Sequence, residues 1–295
     1  MFDINSYIVQ ILTIIGINSI SALGLHVVTG LTGQFSLAQA AFSGIGAYAS
    51  ALISLKTGLP FPIALIVGII AASLIAVIVG WPSLRLRGDY LAITTLGFGE
   101  VFRVFLLNFE FTNKALGLHG IPRETNLFIT YFLLAICIII TWIMTKSRIG
   151  RNMITISNDE AVAESFGIKL SKYKLLAFTI SGAFAGLSGG LYAHNILYVN
   201  PSDFGFMKSV DVLLYIIIGG LGSLPGAILG SALLTGLPEL LRGFSQYRML
   251  VYGCVLIFLM IYRPQGIMGK SDSSISKLIR KKLHHIDKTS KGGAV

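Results

Sequence analysis

Residues 62–82 read PIALIVGIIAASLIAVIVGWP, twenty-one residues without a charged side chain. A helix rises about 1.5 Å per residue, so a run of this length matches the ~30 Å hydrocarbon core of a bilayer. Similar runs recur along the 295 residues, of which 54% are apolar and 12% charged, with a mean hydropathy of +0.78. An ordinary soluble domain carries about 25% charged residues. The composition therefore excludes a water-soluble enzyme and predicts an all-α, polytopic membrane protein.

The apolar runs predict about nine transmembrane segments, within a range of eight to ten. We place them at 6–29, 35–55, 62–82, 90–108, 127–146, 175–193, 208–220, 226–241 and 248–262. Excess positive charge is concentrated at residues 85–89 (+1), 146–174 (+3) and 263–295 (+6). With nine crossings all three stretches lie on one side, which the positive-inside rule assigns to the cytoplasm. We therefore expect the N-terminus outside and the C-terminus in the cytoplasm.

These assignments divide the chain into a transmembrane domain and a tail. The domain covers residues 1–262 and includes a long cytoplasmic loop at 147–174, and the basic cytoplasmic tail covers 263–295. Because the net charge of +10 lies in loops and in the tail, between apolar runs, we expect no nucleic-acid partner. The basic tail suits the surface of anionic membrane lipid, and a partly disordered tail that fixes the topology is the alternative.

The cysteine and histidine content indicates neither disulfides nor a metal centre. Cys137 and Cys254 both fall within apolar runs, where thiols act as small core residues rather than as a disulfide framework. The sequence contains no cluster of His, Cys and acidic residues at metal-ligand spacing. We therefore expect no metal and no cofactor bound by this chain.

Glycine accounts for 33 of the 295 residues and marks two kinds of feature. Breaks rich in Gly and hydroxyl residues occur at 30–36 and 219–226, and irregular backbone at membrane depth must line a protein-walled cavity or form a turn. The two breaks are candidates for corresponding parts of an internal repeat, a pointer to a transport site. Glycines spaced by four allow close helix packing in lipid. They are Gly182, Gly186 and Gly190 in one segment and Gly226 with Gly230 in another.

The cytoplasmic loop contains a short helix delimited at both ends, which we place at 158–166. Ser157 and Glu160 match a capping box at its start, and Gly167 suits the left-handed position that ends a helix. Val162 and Phe166, spaced i and i+4, give it an apolar strip. A helix this short is marginal unless it packs on something, so it docks either on another protein or on its own membrane domain.

Eight stretches resemble, in order, the signatures of permease subunits of branched-chain amino acid ABC importers. They are 33–42 (GQFSLAQAAF), 85–93 (RLRGDYLAI), 95–100 (TLGFGE), 150–151 (GR), 158–161 (NDEA), 164–168 (ESFGI), 174–178 (KLLAF) and 185–193 (AGLSGGLYA). The likeness runs from about residue 15 to 269, and 95–100 is typical of the M-type paralogue rather than its H-type partner. One departure is Ser157, where the family commonly has a basic residue.

The resemblance implies a multi-pass subunit of the bacterial inner membrane with several partners. They would be a second, unlike permease subunit forming a heterodimer, two ATPase subunits that use the ATP, and an extracytoplasmic substrate-binding protein. The short cytoplasmic helix would then be the coupling helix that the ATPase moves. Its residues are Ser157, Asn158, Asp159, Glu160, Ala161, Val162, Glu164, Phe166 and Gly167.

The sequence itself indicates that any ATPase is a separate subunit. A P-loop needs G-x-x-x-x-G-K-[ST], whose backbone amides and lysine hold the phosphates. The nearest approach is Gly269-Lys270-Ser271, but Pro264 stands where the first glycine must be. We therefore interpret the chain as a non-catalytic membrane subunit rather than an enzyme.

Polar residues at membrane depth supply the candidates for a substrate path. Glu100 and Arg103, spaced i and i+3, are expected to neutralise each other. Gln34, Ser36 and Gln39 lie near a helix start, where free N–H groups suit a carboxylate. Asp211 has two possible roles, binding a substrate ammonium or lying at the outer interface.

Three other functions remain as alternatives. A permease for urea or short amides would carry the same motifs. An ion-coupled secondary amino acid transporter would have no obvious use for a capped docking helix. An intramembrane serine protease would use Ser188 in the sequence 186–189 (GLSG), but it needs a histidine base within hydrogen-bond reach, and His194 lies about 9 Å further along the same segment.

Overall fold

The computed structural model describes residues 4–83, 86, 88–240, 253, 257 and 266–268. The described chain is almost entirely helical, as the sequence predicts. Its helices are α1 (Ile4–Thr32), α2 (Gln39–Thr57), α3 (Phe61–Ser83), α4 (Asp89–Asn108), α5 (Leu127–Lys146), α6 (Arg148–Asn158), α7 (Glu160–Ser165), α8 (Leu170–Ile196), α9 (Phe206–Gly219) and α10 (Leu224–Leu240). Most of the predicted segment at 248–262, and nearly all of the basic tail, lie outside the described residues.

Five stretches in the described residues are long and apolar enough to cross a membrane. They are Tyr7–Thr32, Phe61–Ser83, Asp89–Asn108, Leu127–Lys146 and Leu170–Ile196. The predicted segments at 208–220 and 226–241 correspond to α9, with 14 residues, and α10, with 17. The number of crossings and the orientation of the termini stay predictions.

Helix α8 lies at the centre and packs against α1, α2 and α3. Its glycines lie where neighbouring helices come closest. A Cβ added at Gly182 would lie 2.5 Å from Ala76 Cβ, and one at Gly186 would lie 2.6 Å from Ala72 Cβ. At Gly190 the added atom would lie 2.7 Å from Leu65 Cδ2. These three predicted packing glycines therefore face α3, and at Gly182 and Gly186 the added atom would also meet the α3 backbone, which leaves no room for a side chain.

The other predicted glycine pair lies in the hairpin between α9 and α10. A Cβ at Gly226 would lie 2.5 Å from the carbonyl oxygen of Gly219, and one at Gly230 would overlap the carbonyl oxygen of Tyr215. The two helices therefore run nearly backbone to backbone. This geometry is possible because a glycine at each crossing presents no side chain.

The predicted segment at 35–55 begins later than expected, because residues 33–38 are not helical. Gly33 adopts a left-handed φ of +70°, and the chain then runs back beside α1 until Gln39 Nε2 donates to the Ser21 carbonyl at 2.9 Å. Ser21 stands eleven residues before the end of α1, about 16 Å along the axis at ~1.5 Å per residue. Helix α2 therefore begins partway up α1.

A small two-stranded sheet joins the connections at the opposite end of the bundle. Strand β1 (Leu118–His119) pairs antiparallel with β2 (Tyr198–Val199), and the rings of His119 and Tyr198 stack with centroids 4.4 Å apart. The pairing ties the α4–α5 connection to the end of α8.

Candidate functional site

The loop at 147–174 folds into two helices rather than one. Ser147 caps the first, α6, by accepting a hydrogen bond from the Gly150 amide at 3.2 Å. Helix α6 is strongly amphipathic and buries Met153 and Ile156 against the membrane domain. Its end lies beneath the break after α1, because a Cβ on Gly33 would lie 2.9 Å from Ser157 Oγ.

The second helix, α7, begins two residues later than the sequence predicted, and the expected capping box is wrong. Its N-cap is Asp159, whose Oδ1 accepts hydrogen bonds from the Ala161 amide at 2.8 Å and the Val162 amide at 3.1 Å. Ser157 and Asn158 instead belong to the last turn of α6. The buried Ile156 keeps α6 helical through this point, so that the next carboxylate becomes the cap.

The end of α7 follows the sequence prediction. Gly167 has a φ of +76°, its amide bonds the Glu164 carbonyl at 2.9 Å, and the Ile168 amide bonds the Ala163 carbonyl at 3.1 Å. This pair of hydrogen bonds is the Schellman motif, which needs a left-handed residue and therefore favours glycine. The prediction for Gly167 is confirmed.

Helix α7 presents its apolar strip outward. Ala163 is fully buried against the domain, whereas Val162 is 46% and Phe166 77% exposed. Exposing large apolar side chains to water is unfavourable, and here they contribute nothing to the core of the protein. The strip is therefore a surface suited to a partner.

A buried ion pair fixes α7 to the membrane domain. Lys174 Nζ lies 2.6 Å from Glu160 Oε1, and the lysine side chain is 5% exposed against 35% for the glutamate. Helix α6 is held to the same turn of α8, where Asn152 Nδ2 donates to the Tyr173 hydroxyl at 2.8 Å. Lys174 is not predictable as a functional residue from the sequence, since its separation of fourteen residues from Glu160, across two helices, carries no periodic signal.

Replacing Asp159 by alanine is expected to cost α7 about 1 kcal/mol, the usual value of an N-cap. Amide hydrogen exchange in residues 160–165 should accelerate about fivefold. The matched control is Ser157→Ala, which should leave that exchange unchanged because Ser157 caps nothing. Faster exchange in Ser157→Ala but not in Asp159→Ala would show that Ser157 is the N-cap of α7 after all, as in the predicted capping box.

Two of the four predicted substrate-path residues hold the fold together. Gln39 bridges two helices, donating to the Ser21 carbonyl and accepting from Ser181 Oγ at 2.8 Å. Ser36 Oγ accepts from the Ala38 amide at 3.3 Å. The amide donors at the start of α2 bond to Ser36 Oγ, to Thr95 Oγ1 (from Leu37, 3.0 Å) and to Ser209 Oγ (from Ala40, 3.2 Å). These three groups therefore already have protein partners, which leaves them unavailable to a carboxylate.

The other two predicted substrate-path residues, Gln34 and Asp211, lie on different elements, Gln34 in the break after α1 and Asp211 on α9. Gln34 is 5% exposed, and its Nε2 has no hydrogen-bond partner although its Oε1 accepts from Thr32 Oγ1 at 3.1 Å. Asp211 is half-buried on α9, one turn after Lys208, whose Nζ donates to Asn18 Oδ1 at 3.1 Å. Asp211 shares no hydrogen bond with Gln34, Ser36 or Gln39.

The expected pairing of Glu100 with Arg103 is confirmed, with Arg103 Nε 2.8 Å from Glu100 Oε2. The glutamate also has a second bond, because its Oε1 accepts from the Phe206 amide at 3.0 Å. Phe206 is the first residue of α9, so the pair ties α4 to the start of that helix.

The described residues do not assemble a serine protease site. Ser188 Oγ bonds the Ala185 carbonyl at 2.8 Å and Ser43 Oγ at 3.0 Å. His194 is occupied elsewhere, with Nε2 3.1 Å from Ser50 Oγ and Nδ1 3.0 Å from the Pro122 carbonyl. Within the part of the chain that the structure describes, no three His, Cys, Asp or Glu side chains are placed to hold a metal ion.

Comparison with known proteins gives a consistent result. The family model described as "Branched-chain amino acid transport system / permease component" matches residues 7–260. The high-affinity branched-chain amino acid transport system permease protein LivM is 36% identical in Escherichia coli K12, over 90% of this chain and 71% of the relative. LivM of Salmonella typhimurium is 37% identical, over 88% and 69%. LivH of E. coli K12 is 30% identical over 45% of this chain and 44% of the relative. No solved structure matches.

Proposed function

The chain belongs to the family of branched-chain amino acid transport permease components. We propose that separate subunits hydrolyse ATP and drive transport by moving α7. The chain is the permease subunit of a branched-chain amino acid ABC importer, of the LivM type. Its substrates are accordingly leucine, isoleucine and valine, and its place is the bacterial inner membrane. The observation that carries the coupling role is the outward apolar strip of α7 on a rigidly held base.

The base of α7 makes it suitable for transmitting force. A helix of six residues has little stability of its own, so a load on it would unfold it unless both ends were fixed. Here Asp159 caps one end, Gly167 ends the other, and Glu160 is paired to α8. An ATPase that binds Val162 and Phe166 would therefore move α7 together with α8.

The remaining partners follow from the division of labour in such importers. Part of the chain is also similar to LivH, the second permease of the same transport systems, which supports a heterodimer of unlike permeases. Two ATPase subunits would bind at α7 and its counterpart, and an extracytoplasmic binding protein would deliver the amino acid. A permease for urea or short amides, which would carry the same sequence motifs, is the second candidate.

The test is uptake by the complete importer in right-side-out vesicles loaded with ATP. With the second permease, the ATPases and the binding protein present, we expect ATP-dependent accumulation of labelled leucine, competed by valine and not by urea. Uptake of labelled urea without uptake of labelled leucine would show that the chain is an amide permease. Accumulation by this chain without nucleotide would make it a secondary carrier.

The same vesicles test the coupling surface through Phe166→Asp. A charge on the exposed strip opposes burial in an apolar groove, so uptake and ATPase binding should both fall about tenfold, a loss of ~1.4 kcal/mol. The matched control is Ile149→Asp on α6, which is 42% exposed and lies outside the strip. Equal loss in both variants would remove the coupling role from α7.

A further inference from the structure

The break after α1 brings non-helical backbone to membrane depth. Residues 33–38 run back along α1 from the level of Thr32 to the level of Ser21, where α2 begins. Irregular backbone at this depth is tolerated only where protein buries it or where it lines a water-filled cavity. Broken helices of this kind commonly surround substrate sites in transporters.

Three buried polar side chains beside this break have no hydrogen-bond partner. They are His26 at Nδ1, Thr29 at Oγ1 and Gln34 at Nε2, each at most 5% exposed, and they fall within nine residues of sequence. We refer to them as the inner polar cluster. Threonines elsewhere on α1 donate to the carbonyl four residues back, as Thr13 and Thr32 do, but Thr29 does not. Buried polar groups without partners are rare in folded proteins and point to an occupant that the protein alone does not supply.

The cluster members share one end of α1. His26 and Thr29 are three residues apart and so lie on the same helix face. The His26 ring lies over Gly30, where a Cβ would be 2.5 Å from Nδ1. The single hydroxyl proton of Thr32 is shared between the Val28 carbonyl (2.7 Å) and Gln34 Oε1 (3.1 Å), which holds the glutamine amide against the same last turn.

The second glycine-rich break, at 219–226, lies next to the last turns of α1. A Cβ on Gly222, in the turn between α9 and α10, would lie 3.8 Å from the Gly30 carbonyl oxygen. The end of α6 lies below, next to Gly33. The cluster is therefore bounded by both breaks that the sequence singles out, and it adjoins the cytoplasmic helices.

From this placement we propose that the inner polar cluster binds the carboxylate of the transported amino acid as it passes towards the cytoplasm. The Gln34 amide group donates, the Thr29 hydroxyl donates or accepts, and the His26 imidazole presents a ring N–H at one of its nitrogens. Three buried polar groups, each with an atom that has no hydrogen-bond partner, can hold a carboxylate by hydrogen bonds without trapping it. This inference rests on the proposed function, since it takes the solute to be an amino acid.

The test is chemical labelling of Thr29→Cys in the complete importer. Cys137 and Cys254 are first replaced by serine, and inside-out vesicles are treated with a small water-soluble thiol reagent, with and without leucine. We expect Thr29→Cys to be labelled and leucine to slow labelling at least fivefold. Ser19→Cys is the matched control on the same helix and should stay unlabelled, because Ser19 is buried and bonded to Ser231 Oγ at 2.7 Å. Labelling that leucine does not slow shows a cavity that holds water alone, and absence of labelling shows no cavity; each overturns the proposal.

A second variant separates a binding role from a packing defect. Gln34→Leu keeps the volume and removes the donor, and uptake should fall at least tenfold while assembly with the ATPases is retained. Unchanged uptake with a more stable chain would mean that Gln34 is only an unsatisfied group, which contradicts the proposal. Unmodified importer in right-side-out vesicles loaded with ATP must accumulate labelled leucine; if it does not, the proposed function fails, whereas leucine uptake without protection of Thr29→Cys refutes the cluster alone.

Discussion

Lys174→Glu is expected to lower ATP-driven leucine uptake more than about 100-fold, although the chain still inserts in the membrane. Breaking a buried ion pair by removing one partner costs about 3–5 kcal/mol, and the partial exposure of Glu160 places this pair at the lower end. The variant also places two carboxylates where lysine and glutamate now lie 2.6 Å apart. Helix α7 would be pushed off α8, so movement of the ATPase would no longer reach the membrane helices.

The rescue is the exchange of both charges. Glu160→Lys combined with Lys174→Glu restores opposite charges across the same gap, and we expect it to recover a large part of the uptake. The informative measurement is the ratio of leucine transported to ATP hydrolysed. In the single variant this ratio should collapse while hydrolysis continues, and in the double variant it should rise again.

The matched control is Lys172→Glu, a charge reversal at an exposed position two residues away on α8. It changes the net charge of the loop equally but breaks no described pair, so transport should be nearly unchanged. If Lys172→Glu is as damaging as Lys174→Glu, the effect comes from overall loop charge and the link between α7 and α8 is not the cause. If Lys174→Glu lowers the amount of protein inserted in the membrane as much as it lowers transport, Lys174 is needed only for the stability of the chain.

The sequence predicts what depends on local pattern. Apolar runs give the helices at 62–82 and 127–146 nearly to the residue, because bilayer thickness fixes their length. Gly167 is predictable as a helix end since its role depends only on backbone conformation. Glu100 and Arg103 are predictable as a pair since one helix face carries both.

What escapes prediction depends on contacts between distant segments. Ser157 and Asp159 are both good caps, and only the burial of Ile156 on α6 decides between them. The start of α2 is set by bonds from its amides to Thr95 and Ser209, on helices far away in sequence. Gln39 looks like a substrate ligand in sequence, yet its amide bridges Ser21 and Ser181.

Gly186→Val is expected to destabilise the fold strongly, because Gly186 lies where three helices meet. A Cβ there would lie 2.6 Å from Ala72 Cβ and 2.8 Å from the Gly68 carbonyl oxygen on α3. On the other side, the Gly186 backbone is so close to α2 that a Cβ on Gly46 would overlap it. Helices in lipid associate mainly through such close packing, so separating them removes the stabilising contacts themselves.

We expect this variant to lose about 3 kcal/mol or more of stability, the upper range for overpacking, since backbone atoms on both sides cannot move aside. In detergent the midpoint of thermal unfolding should fall by about 5 °C or more. The matched control is Gly97→Val on α4, where a Cβ meets nothing within 4 Å, and its unfolding midpoint should change little. A similar fall in both would mean that helix flexibility, not packing, requires glycine.

The smaller variant Gly186→Ala allows the contact itself to be tested. Pairing it with Ala72→Gly removes the methyl group that the new Cβ would meet, so the double variant should be more stable than Gly186→Ala alone. Recovery should be partial, because the Gly68 carbonyl oxygen still lies 2.8 Å from the added carbon. Additive losses in the double variant would show that residues 72 and 186 do not contact, and the placement of α8 against α3 would then be wrong.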